Sequence, residues 1–97
     1  MIVSFGDKGT EDVFNGRRTR DANKACPATL WRVARRKLDQ LDTVARLQEL
    51  SVPPGNRLEV LRGDRQGQHS IRINQQYRIA FVWISSGPSA VTIVDYH

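Results

Sequence analysis

The stretch "SVPPGN", residues 51–56, divides this chain into two halves that obey different periodicities. Its two prolines have no amide hydrogen to give a helix, and the glycine after them loosens the backbone, so no helix continues through it. Before the break, apolar residues recur every three or four positions; after it, they recur every second position. Helices followed by strands predict an α+β domain, with N-terminal helices packed on one face of a small, mainly antiparallel sheet. At 97 residues the expectation is one domain over residues 1–97, large enough for a single core.

The helical half opens with "IVSF" (2–5), which reads as a short first strand. Thr10 is placed as an N-cap, Glu11 and Asp12 as first-turn acids and Gly16 as the stop of a short helix. "RRTRDANKA", Arg17 to Ala25, is basic and aperiodic and reads as an exposed, mobile loop. Pro27 starts the next helix. There Leu30, Ala34, Leu38 and Leu41 form an apolar stripe widened by Trp31 and Val33, against a face of Arg32, Arg35, Arg36, Lys37, Asp39 and Gln40. Val44, Leu47 and Leu50 predict a shorter helix after it.

Beyond the break, strands are predicted over 57–61, 69–74, 77–84 and through the final "AVTIVDY", with a hairpin about Gln75 and Gln76 and a turn at "SSGPS". Alternation sends Tyr77, Ile79, Phe81 and Trp83 to the helix side. Arg72 and Arg78 then fall on the open face. Two arginines on central strands call for an anion lying across them, or for pairing with Glu59 or Asp64.

Composition narrows the partners. No apolar run approaches the ~20 residues of a membrane span, and Asp7 and Lys8 come too early for a signal-peptide core. The single cysteine, Cys26, allows no internal disulfide, so a cytoplasmic address is expected. The net charge is +5, and twelve of the fifteen basic residues are arginine. The planar guanidinium fork matches phosphate oxygens, which favours a polyanionic partner over a merely solubilising surface.

The chain ends on "VDYH", an acid, a phenol and an imidazole directly after strand-like sequence. Nearby negative charge from Asp95 favours the imidazolium form of His97, which suits an acid or base working near neutrality. A solvated strand end is the alternative. Neither His69 nor His97 sits in a metal-ligand spacing, and no glycine-rich phosphate loop occurs.

Taken together, "PPGNRLEVLRGDRQGQHSIRINQQYRIAFVW" and the terminal "VDYH" resemble the HigB branch of the RelE/ParE toxin superfamily, across essentially the whole chain. The resemblance implies a RelE-like fold and a toxin that enters the ribosomal A site and cuts mRNA. It implies a reaction that needs no metal or cofactor and uses the RNA's own 2′-hydroxyl as nucleophile. It also implies a helix-turn-helix antitoxin, with operator DNA contacted only through the toxin–antitoxin complex. Asp95 and His97 fall on the family's terminal catalytic positions, with Tyr96 as a positioning or stacking group between them. Arg62 falls on a catalytic basic position and Arg78 on a phosphate-clamping one; Arg72, on the same open face by strand parity rather than by the resemblance, is a further candidate substrate contact. Glu59 stands where some members carry histidine, which leaves base and acid open among Glu59, Asp95 and His97. Two other readings stay open: a ParE-like gyrase poison that cuts nothing, and a non-catalytic RNA- or ribosome-binding module.

Overall fold

The first helix is capped three residues before the expected position. In the computed structural model, which describes residues 1–96, α1 spans Lys8–Phe14 and is capped by Asp7, whose carboxylate accepts from the Thr10 amide at 2.6 Å. Thr10 is fully buried, and its hydroxyl instead accepts from the Ile93 amide at 2.9 Å. A buried hydroxyl must find its partner inside the core, so the exposed carboxylate upstream does the capping. The segment before α1 is not a strand of the main sheet. Val3 and Gly6 donate to the carbonyls of Pro88 and Val91, and Phe5 makes one isolated parallel bridge to Val91.

The basic stretch after Gly16 is ordered, against the expectation of a loop. Helix α2 spans Arg20–Ala25, and the Thr19 hydroxyl accepts from the Ala22 amide at 3.0 Å. That hydroxyl donates in turn to Asp12 at 2.6 Å, while the Trp31 indole N–H donates to the carbonyls of Ala22 and Cys26. Only Ala22 of this stretch and Cys26 just after it are fully buried, with Ala25 partly so, too few to make a visible stripe. Two small residues suffice because α1 approaches closely at Gly9, where an added methyl would collide with the Asp21 carbonyl. Burial pushes the Cys26 thiol up to about 11.

Pro27 precedes a 3-10 turn, Ala28–Leu30, and α3 spans Trp31–Thr43. Its Ala34, Leu38 and Leu41 are fully buried against the sheet. Each buried leucine contributes about 1.5–3 kcal/mol relative to exposure. The shorter helix expected after it is two single 3-10 turns, Leu47–Ser51 and Pro54–Asn56, because Val44 is already extended and the prolines allow no longer ladder. Asn56 is fully buried and ties this segment to α3. Its side-chain amide donates to Gln40 and to the Leu50 carbonyl, both at 3.0 Å, and its side-chain oxygen accepts from Lys37.

The sheet is an antiparallel meander in the order β1-β2-β3-β4: Glu59–Val60, His69–Arg72, Tyr77–Ile84 and Gly87–Asp95. This is the α+β architecture expected. The first two strands are shorter than predicted. Arg57 adopts φ 47°, the left-handed region, which keeps it out of β1. Beyond Arg72, the Asn74 side chain takes over, accepting from the Gln76 and Tyr77 amides at 2.9 and 2.7 Å to close the hairpin. Ile71, Ile79, Phe81, Val91 and Ile93 are strand residues buried in the core. Among the described residues, no helix is long and apolar enough to cross a membrane.

Candidate active site

Alternation puts Arg78 on the side of β3 away from the helices, but it does not stand free there. Only 7% of it is exposed. Its side chain lies across β2 towards β1. Nε donates to the Ser70 hydroxyl at 2.6 Å, and Nη2 donates to the Arg57 carbonyl at 2.6 Å and the Ser70 carbonyl at 3.3 Å. Glu59 Oε1 lies 3.4 Å from Nε, so the pairing foreseen as one alternative for Arg78 exists. Sequence alternation gave an open face; in the structure the guanidinium is folded down onto it, because Ser70 and Ala80 beside it are small and Arg57 offers a carbonyl at the right reach.

Three separate elements therefore fix one cation. Register sets Ser70 opposite Glu59 on one side and Ala80 on the other. The Asn56 network anchors the backbone beside Arg57, whose left-handed turn aims its carbonyl at Arg78. Burial pulls the Arg78 pKa below its ordinary value, Glu59 and Tyr96 oppose that shift, and the neighbouring Arg72 and Arg57 add to it. A guanidinium starts so high that it stays charged. Its Nη1 has no hydrogen-bond partner among the described residues.

Around Arg78 lies an open cleft of about 310 Å³, lined by Arg57, Glu59, Arg72, Asn74, Gln75, Arg78 and Tyr96. Arg72 donates through Nε to the Asn74 carbonyl at 3.1 Å, which leaves its charge at the rim. The Tyr96 ring sits with its centroid 5.9 Å from the Arg78 guanidinium and is half exposed. Its amide donates to the Gln76 carbonyl at 2.7 Å, so strand pairing continues to the end of the described chain. Three cations facing one carboxylate make a site for an anion with flat, stackable neighbours, as in a nucleotide chain.

The sequence-predicted residues divide. Glu59, Arg72, Arg78 and Tyr96 come together in this cleft. Asp95 pairs with Tyr77 and so points to the helix side of the sheet, where its carboxylate accepts from Gln76 Nε2 at 3.0 Å. Arg62 lies apart, exposed beside Gly63 in a separate depression of about 390 Å³. His97 lies outside the described residues. Among the described residues, no three His, Cys, Asp or Glu side chains converge as metal ligands would. Ser70, Arg57, Asn74 and Gln75 were not anticipated. Ser70 shares the parity of Arg72 and could have been found by it; the Arg57 carbonyl leaves no mark in a sequence.

Comparison with known proteins gives this geometry a context. A family model described as "RelE-like toxin of type II toxin-antitoxin system HigB" matches residues 3–97. The chain is 35% identical to "Toxin HigB-1" of Vibrio cholerae serotype O1 over 97 residues, all of this chain and 98% of that protein. It is 30% identical to "Endoribonuclease HigB" of Proteus vulgaris over 97 residues, the full length of both. A toxin of a toxin–antitoxin pair implies an antitoxin partner. With its helices on one face of a four-stranded antiparallel sheet and an arginine-lined cleft on the other, the chain belongs to the HigB-like family of RelE-like toxins of type II toxin–antitoxin systems.

Proposed function

We propose that this toxin is a cytoplasmic endoribonuclease that cuts mRNA in the A site of the translating ribosome, and that a helix-turn-helix antitoxin restrains it. The observation that carries the reading is the Arg78 clamp: a buried guanidinium held by Ser70 and Arg57 in a cleft, with Tyr96 beside it. The name of the Proteus vulgaris relative supports nuclease chemistry. Contacts to operator DNA run through the antitoxin complex alone.

In-line attack by a 2′-hydroxyl on the adjacent phosphorus needs a proton acceptor, a cation for the phosphorane and a proton donor for the leaving 5′-oxygen. The negative charge grows on the equatorial oxygens, so prearranged guanidinium groups supply the largest single contribution. Arg78 Nη1, together with Arg72 at the rim, holds those oxygens. Being fixed before substrate arrives, Arg78 needs little reorganisation during the reaction. Glu59, half exposed in the same cleft, accepts the 2′-hydroxyl proton, and His97 delivers one to the leaving oxygen. Asp95 orients the chain end and favours the imidazolium. Tyr96 stacks on a base, and Arg62 contacts the backbone beyond the cut.

The test is cleavage mapping on a defined mRNA, with and without translating ribosomes, for the native protein and the His97→Ala, Glu59→Gln and Arg78→Ala variants. Cuts that need ribosomes and are lost in His97→Ala, while folding and antitoxin binding persist, support the reading. Cuts on free RNA would remove the ribosome from it. Growth arrest without any cut would transfer the protein to a non-nucleolytic mode such as gyrase poisoning.

A further inference from the structure

A second depression, broader than the Arg78 cleft, lies on the opposite side, over the outer face of the helical layer. It measures about 590 Å³ and sits between the turn after α1 and the outer face of α3. Five arginines line it: Arg17 and Arg18 from the turn, and Arg32, Arg35 and Arg36 from α3. On α3 these three are exposed while Ala34, Leu38 and Leu41 face the core, so they form a stripe pointing away from the sheet.

Two features show that the arginines are ordered there rather than scattered. The Arg18 guanidinium sits 5.4 Å from the centroid of the Trp31 ring. Arg35 packs its guanidinium over Gly16, where a Cβ would be 2.8 Å from its Nη1. The local charge balance is lopsided. Arg17 reaches Asp12 at 3.5 Å, but that carboxylate already serves Thr19 and Lys8. Among the described residues, no carboxylate lies within ion-pair distance of Arg18, Arg32, Arg35 or Arg36, although Asp39 lines the rim. Crowding like charges without counter-charges costs stability unless a polyanion occupies the site.

The kind of polyanion follows from Trp31. A groove for single-stranded nucleic acid offers free aromatic faces to the bases. Trp31 cannot do this, because its indole N–H is bound to the Ala22 and Cys26 carbonyls and its face is taken by Arg18. What remains is a row of guanidinium forks about one helical turn apart, suited to phosphates alone. We infer that this arginine cleft is a second nucleic-acid site, which grips the phosphate backbone of double-helical RNA on the face opposite the cutting cleft. The inference goes beyond the proposed reaction and does not depend on it.

The probe is an RNA hairpin of about two helical turns with no single-stranded target, titrated against the full chain over a range of salt. The test variant is Arg32→Gln/Arg35→Gln/Arg36→Gln. The control removes three charges elsewhere, Arg20→Gln/Lys24→Gln/Arg46→Gln. The cleft variant is expected to lose about tenfold or more in affinity and to flatten the slope of log K against log salt by roughly two to three, with a much smaller change in the control. Equal losses in both variants, or none in either, would overturn the inference. So would intact hairpin binding with loss of the antitoxin complex, which would make the cleft a protein-docking surface. All three arginines are exposed on α3; should the triple variant melt early, the single variants Arg32→Gln and Arg36→Gln give the same readout. Ribosome-dependent cleavage, assayed in parallel, reports on the other face: a native protein that binds the hairpin through these arginines but never cuts leaves the cleft in place and sinks the nuclease.

Discussion

Replacing Ser70 by alanine tests whether Arg78 is held from the sheet. The hydroxyl is fully buried and accepts from a guanidinium that is 7% exposed, at 2.6 Å. A hydrogen bond to a charged group is worth about 1.5–3 kcal/mol. Glu59, 3.4 Å from the same Nε, can take over part of that donation, which puts the expected loss near the lower end, about 1.5 kcal/mol. For a domain of this size that corresponds to a fall in Tm of roughly 6–12 °C. Activity should fall further than stability requires. A guanidinium drawn towards Glu59 no longer meets the phosphorane squarely, and misplacement on the ångström scale costs on the order of 100-fold. The assay is thermal melting together with single-turnover cleavage, run as a double-mutant cycle with Arg78→Met. If the hydroxyl acts through Arg78, Ser70→Ala costs almost nothing once the guanidinium is gone, and the coupling is about 1.5 kcal/mol. A coupling below ~0.5 kcal/mol would refute the clamp, because neighbours that do not interact are additive to that level.

Two further predictions concern the helical layer. Gly9→Ala should cost about 1–3 kcal/mol in urea unfolding, since its methyl would meet the Asp21 carbonyl and Ala25 and push α2 off α1; an unchanged midpoint would mean that the two helices are not closely packed. Asp12 is held below its ordinary 3.8, first by the Thr19 hydroxyl and then by Lys8 and Arg17, against the opposing effect of burial. A lowered folded pKa gives stability that is present above 3.8 and lost as pH falls through the lower folded value. Acid titration of stability should therefore show a decline below about pH 4 that is shallower in Asp12→Asn, and parallel curves would count against the assignment.

The break at "SVPPGN" and the change of period on either side determined the layered α+β fold, because binary patterning dictates which face each element buries whatever the neighbours are. Arg78, Arg72, Glu59 and Tyr96 were legible as candidates for the same reason: strand parity alone put the two arginines on one face, and the family motif added the others. Helix α2 was not legible. Its stability comes from Thr19, Asp12 and the Trp31 indole, contacts between residues whose spacing carries no period. The capping residue of α1 was misread because Thr10 is claimed by Ile93, more than eighty residues away. Only the tertiary structure decided that Arg78 lies clamped rather than open, that Asp95 and Arg62 stand outside its cleft, and that the arginines of α3 meet those after Gly16 on the opposite side. A sequence shows which side chains an element offers to a face. Which of them share a partner depends on distances set by packing between elements, and those exist only once the chain has folded.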